Sequence, residues 1–190
     1  MQAETSTPIN AILATRRSPR SYKADHQISS SDLRSLLEAA RWAPSAFNGQ
    51  PWRFFVGVRG DEVFTEIFSS LGEFNQLWAK NASALILIGS TTTKADGSPH
   101  ADYLYDCGLA TAQLVYEAHD RGFIAHQMTG FSKEKARANL GMSDEIVPIA
   151  VIAIGEQDSP EKLPEQLAER EVAKRVRLPL ETIVVKGLPA

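Results

Sequence analysis

The chain has 190 residues, 43% of them hydrophobic and 23% charged, with a formal net charge of −3 at pH 7. That length suits one domain around a single core, and the composition excludes a chain disordered throughout. The negative balance argues against nucleic acid or an anionic membrane as partner of the whole chain, and no apolar run approaches the roughly 20 residues that cross a bilayer.

The lone Cys107 permits no intramolecular disulfide and fits a reducing compartment. Residues 1–8 lack the basic start and apolar run of a secretory signal, so the expected location is the cytoplasm. We expect one domain over residues 1–190, with 1–7, Thr91–Pro99 and 187–190 flexible.

Thr7, with Pro8 in the first turn, opens a helix that runs to Thr15. Leu33, Leu36, Leu37 and Ala40 recur at helical spacing behind the caps Ser30 and Ser31, and this helix ends before Pro44. Arg53–Val58 reads as a strand and Glu62–Leu71 as a short helix. The apolar run Ala84–Gly89 fits a strand covered on both faces.

Tyr103–Arg121 is a long helix that carries Gly108, Ala110, Ala112 and Ala118, so it is central or lies at a subunit interface. Phe123–His126 is a strand, Ser132–Leu140 a helix and Ile149–Gly155 a second buried strand. A polar helix opens at Ser159 and Pro160 and runs to Lys174; Leu180–Val185 adds an edge strand or reaches onto a partner. Interleaved helices and strands give an α/β or α+β class in three layers.

Three clusters carry chemistry. Arg16, Arg17, Ser18 and Arg20 combine permanent cations with a hydroxyl, a set suited to phosphate oxygens. The same cluster also reads as a solvated basic turn. Pro44-Ser45-Ala46-Phe47-Asn48-Gly49-Gln50-Pro51-Trp52 offers several amide and hydroxyl groups to a flat heterocycle, or simply connects a helix to a strand. In Lys174–Pro179, Arg175 and Arg177 share one side of an extended segment and can close on the anion of Arg16. Cations at a helix C-terminus are the alternative.

In order and content, RRS, PSAFNGQPW and RVRLP resemble the nitroreductase family of flavoproteins, and the resemblance extends through Gly130-Phe131-Ser132, Leu140-Gly141 and the strand ending at Gly155. It covers the chain from about Ile9 to Val185, with PSAFNGQPW the specific part. It implies an α+β, three-layer α/β/α fold with a mixed central sheet and the long helix at the interface of a homodimer. Each of two clefts, built from both subunits, would hold one FMN. NADH or NADPH would donate electrons, and nitroaromatics, quinones or flavins would accept them by a ping-pong mechanism.

Carried over by residue, Arg16, Arg17 and Ser18 hold the phosphate and ribityl chain, and Arg175 and Arg177 complete the clamp. Arg20 lies near N1 and O2 of the ring. Pro44, Ser45, Ala46, Asn48 and Gln50 come from the other subunit. Asn75 binds the ring, and Met128, Thr129 and Gly130 lie beside it. No side chain is required as acid or nucleophile; Arg20 and Thr129 tune the ring. Many relatives carry glutamate at the position of Thr129 and lysine near that of Trp78, which affects flavin potential and substrate preference more than FMN binding.

Other features carry blander readings. Cys107 is a small buried thiol, the four histidines show no metal-ligand spacing, and no metal is expected. Trp42 and Trp52 pack beside the PSAFNGQP loop; Phe47 and Phe74 line the cleft or the core; Glu161–Glu171 is a solvated helix face. No GxGxxG follows a strand, so a Rossmann site is unsupported. Reductive dehalogenation or flavin fragmentation on the same scaffold, a non-catalytic flavin-binding dimer, and a nucleic-acid module are the competing functions. The net charge disfavours the last.

Overall fold

The computed structural model describes residues 2–94 and 96–187. In chain order the elements are α1 (Ala11–Thr15), α2 (Ser30–Arg41), β1 (Trp52–Val58), α3 (Glu62–Ser70), α4 (Glu73–Ala79), β2 (Ala84–Thr91), α5 (Tyr103–Asp120), β3 (Ile124–Met128), α6 (Lys133–Asn139), β4 (Ile146–Gly155), α7 (Glu165–Val172) and α8 (Leu180–Ile183). Among the described residues the sheet has four strands in the order β1-β2-β4-β3, and every neighbouring pair is antiparallel. The expected mixed sheet is therefore corrected. The links from β1 to β2 and from β3 to β4 each start and finish at one end of the sheet, so each strand runs back along its predecessor.

Alternation along the central strands builds the three layers. Ala84, Ile86 and Ile88 of β2 and Ala150, Ile152 and Ile154 of β4 pack under α2 and α5, with Leu36, Ala40, Ala110 and Leu114. Leu85, Leu87, Val151 and Ala153 face the other way, against Phe64 and Ile67 of α3, Trp78 of α4, Ala136 of α6 and Leu167 of α7. Each fully buried Leu or Ile contributes about 1.5–3 kcal/mol of transfer free energy. Gly57 of β1 is required by closeness: a Cβ there would stand 2.2 Å from the Phe64 amide nitrogen, so α3 lies directly on the strand.

Several boundaries differ from the sequence reading. The first helix starts at Ala11, because the Asn10 side chain accepts from the Ile12 amide at 2.9 Å and caps it there. Ser29, rather than Ser30 or Ser31, caps α2 by accepting from the Asp32 amide at 3.0 Å. The 159–174 helix is broken: Pro160–Lys162 is a 3-10 turn, Pro164 has no N–H to continue it, and α7 begins at Glu165. Leu180–Ile183 is a helical turn rather than an edge strand.

The α4 helix was not anticipated. Within Thr91–Pro99, Thr93 bridges Pro99 and Lys94 N–H donates to the Ser98 carbonyl at 2.8 Å, so part of this stretch is a hairpin. Ala3 N–H donates to the Ala14 carbonyl at 2.8 Å, and Glu4 pairs with Lys174 at 2.6 Å. Of the ends expected to be flexible, Met1 and residues 188–190 lie outside the described residues. Among the described residues no helix is long and apolar enough to cross a membrane.

Candidate functional site

Residues 16–23 leave α1 and run past β3 and the end of β4. Tyr22 bridges Gln157, and its hydroxyl donates to the Ala153 carbonyl at 3.1 Å. His126 Nδ1 on β3 lies 2.7 Å from the Ser18 carbonyl and 3.1 Å from that of Pro19. Both partners are acceptors, so Nδ1 carries the proton. Burial pushes the imidazole down to about 4, and the charges of Arg20 and Arg16 push the same way against the two carbonyl bonds. His126 is thus a neutral donor at neutral pH, and it fixes the arginine-bearing loop to the sheet.

The C-terminal segment closes on this loop. Arg17 Nη2 donates to the carbonyls of Glu171 and Ala173, each at 2.8 Å. Arg175 donates to the carbonyls of Ala14 and Arg16. Residues from opposite ends of the chain thereby line one cavity of about 220 Å³, formed by Ser18, Glu171 and the guanidinium-bearing Arg16, Arg17, Arg20, Arg170, Arg175 and Arg177. A wider cavity of about 670 Å³ adjoins it, between residues 3–13 and Leu178–Ile183, and shares Arg16, Arg175 and Arg177. Burial, and then the neighbouring Arg17, Arg16 and Arg177, holds Arg175 below its ordinary pKa. Crowded like charges of this kind favour an anion.

The arginines divide their work. Arg17 and Arg175 spend guanidinium donors on carbonyls across the two chain segments and act as stitches. Arg16 and Arg177 bond locally: Arg16 Nη1 donates to the Arg17 carbonyl at 2.8 Å and to Ser18 Oγ at 3.2 Å, and Arg177 Nη1 to the Val176 carbonyl at 2.9 Å.

Further along the same edge, β3 ends at Met128, followed by the exposed Thr129 and Gly130. Asn75 on α4 donates from Nδ2 to the Gly130 carbonyl at 3.1 Å, and Gly72 N–H donates to the same oxygen at 3.0 Å. Thr129 lies three residue steps beyond His126, a span of about 10 Å in extended chain. The Arg20 guanidinium carbon is 6.0 Å from the Trp78 ring, and its Nε is buried without a hydrogen-bond partner. Trp78 is only 1% exposed and packs 4.6 Å from the His126 ring, so it belongs to the core beneath Arg20.

Pro44, Ser45, Ala46, Asn48 and Gln50 are not brought to this cavity within one chain. Their loop leads into β1, at the opposite edge of the sheet from β3, about 14 Å away across three strand spacings. It is held in an unusual form, with Phe47, Asn48 and Gln50 at φ of 51°, 58° and 46°. The Gln50 amide donates to Ser45 Oγ at 3.1 Å, and the Ala46 amide donates to the buried Asp106 carboxylate at 3.2 and 3.3 Å. A Cβ on Gly49 would stand 2.4 Å from His100 Cε1. Phe47 is 98% exposed.

The sequence reading missed Arg170 and Glu171, which it placed on a solvated face. Glu171 is buried, and the pattern did contain a signal: it stands four residues after the buried Leu167, on the inward side of α7. Cys107 is buried, as expected, and burial pushes its thiol up to about 11. One grouping outside the site imitates a hydrolytic triad: His26 Nδ1 lies 2.9 Å from Ser83 Oγ, and its Nε2 3.8 Å from Glu156. Ser83 is wholly buried and its Oγ donates to the His26 carbonyl, so it offers no accessible nucleophile.

The family model described as "Nitroreductase family" matches residues 13–71. An Archaeoglobus fulgidus protein, provisionally named NADH dehydrogenase/NAD(P)H nitroreductase, is 34% identical over 148 residues, which are 76% of this chain and 82% of that protein. A solved structure described as an oxidoreductase containing FMN superposes with a TM-score of 0.88 at 36% identity, over 94% of this chain and 91% of the other. An Exiguobacterium sibiricum structure, provisionally called a nitroreductase in complex with FMN, gives 0.78 at 25% identity over 95% and 98%. The three-layer α+β architecture is thus that of nitroreductase-fold proteins. The chain belongs to the nitroreductase family.

Proposed function

We propose that the chain is an FMN-dependent oxidoreductase that works as a homodimer. Electrons would come from NADH or NADPH and pass to nitroaromatic, quinone or flavin acceptors. The observation that carries this reading is the convergence of arginines from both chain ends on one cavity, whose 16–20 loop is tied to β3 through His126. A phosphate fits the crowded guanidinium groups, and the buried Arg20 Nε without an acceptor fits an electron-rich ring edge.

When bound, FMN supplies the two-electron chemistry, and the protein supplies placement and electrostatics. Arg16 and Arg177 would hold the phosphate, while Arg17 and Arg175 hold the two segments that carry them. Arg20 would bring positive charge to the edge of the flavin ring. Met128, Thr129 and Gly130 would present backbone to the ring, with Gly130 braced by Asn75. Donor and acceptor use one space in turn, which gives ping-pong kinetics.

The homodimer is supported by an exposed apolar stripe on α5, where Leu104, Tyr105 and Tyr116 flank Gly108. It is also supported by the strained 44–50 loop, which lies at the far edge of the sheet from its own chain's arginine cavity and would meet such a cavity only in a second copy. Purified protein should be yellow, release FMN on denaturation and bleach anaerobically with NADH or NADPH. Protein that is colourless and takes up no flavin on reconstitution would refute the reading.

A further inference from the structure

Glu171 is the one acidic side chain among the described residues that line the 220 Å³ arginine cavity. It is 7% exposed and comes from α7, at the far end of the chain from the loop it serves. Its Oε1 accepts from the Arg20 amide at 2.8 Å and from the Ser21 amide at 3.2 Å, and its Oε2 accepts from the Arg20 amide at 3.1 Å. Its own backbone carbonyl accepts from Arg17. One residue therefore anchors the loop through both side chain and main chain.

Two consequences follow from elementary electrostatics. The carboxylate caps amides that would otherwise be buried donors, so removing it leaves the 20–21 backbone unsatisfied and frees the loop. It also places a negative charge against the cluster that is to receive an anion, so it opposes part of the attraction of the cavity. We propose that Glu171 is a positioning residue for the anion site: it holds Arg20 and its neighbours in place, and its charge restrains how tightly the cavity binds phosphate. This inference rests on the cavity being the phosphate end of a flavin site, and it extends that reading by separating geometry from charge.

The two roles respond oppositely to two substitutions. Glu171→Gln keeps an oxygen for the Arg20 and Ser21 amides and removes the charge. Glu171→Ala removes both. With the flavin-free full chain, binding of inorganic phosphate and of FMN is titrated in wild type and both variants at low and high salt. The expected result is several-fold tighter binding of both probes to Glu171→Gln, with a steeper salt dependence. Glu171→Ala should bind both at least tenfold more weakly and melt at lower temperature.

Weaker binding by both variants in proportion to lost stability would overturn the proposal, because Glu171 would then be packing alone. Unchanged binding in both would overturn it as well. If phosphate follows the expected split while wild type fails to bind FMN, the flavin reading falls and the role of Glu171 stands. If wild type binds FMN and the two variants move together, the flavin reading stands and the role of Glu171 falls.

Discussion

Replacing His126 with Asn should remove a specific acid sensitivity. In the folded chain the imidazole is 9% exposed and its pKa is pushed to about 4, against an unfolded value of about 6.5. Between those values the unfolded chain binds a proton that the native chain does not, so stability falls as pH falls through this window. At 1.36 kcal/mol per unit, the loss is about 2 kcal/mol at pH 5 and about 3 kcal/mol at pH 4, and the contribution is fully present above pH 6.5.

Asn places an amide near the position of Nδ1 and still donates toward the Ser18 carbonyl. The variant therefore keeps the loop contact but loses the titration, and it loses packing against Trp78 at every pH. Urea unfolding of both proteins between pH 4 and 7.5 gives the difference in stability, from which the carboxylates common to both cancel. The difference should shrink as pH falls from 6.5. Parallel curves for the two proteins would show that His126 is not buried as a neutral donor.

Gly49→Ala should force the 44–50 loop away from His100, given the 2.4 Å approach of the added Cβ, and destabilise the chain by about 1–3 kcal/mol in thermal melts. Leu104→Asp should place a charge on the exposed stripe of α5 and yield monomers in light scattering, with flavin lost on dilution. Cys107 should not react with a thiol reagent at pH 8 in the native protein and should react at once in denaturant, since its thiol is buried and titrates at about 11.

Elements that bury their own residues were legible in the sequence. The runs at 84–89 and 149–155 are buried strands because both faces of the sheet are covered, and α2 and α5 follow from helical spacing of their apolar residues. What local patterns did not show depends on distant partners. The α4 helix has seven residues and its N-cap is Gly72, which offers no side-chain cap, so no start signal precedes it.

The arginine clusters stood out by composition, and their convergence followed from family resemblance. Their division into long-range stitches and locally bonded groups did not, because Arg17 and Arg175 are defined by carbonyls more than 150 residues away. Glu171 looked solvated in a run of charges, and its burial comes from the loop it caps. Trp78 reads at its family position as a missing cation. The fold makes it the floor beneath Arg20 instead.

The most direct test compares FMN with riboflavin, which lacks only the phosphate. Wild type should bind FMN at least a hundredfold more tightly, and Arg177→Ala should lose about 10–100-fold of FMN affinity, as expected for one or two charge-assisted hydrogen bonds, while its riboflavin affinity stays the same. Equal affinity of wild type for the two flavins would contradict the claim that guanidinium groups from both ends of the chain hold one phosphate.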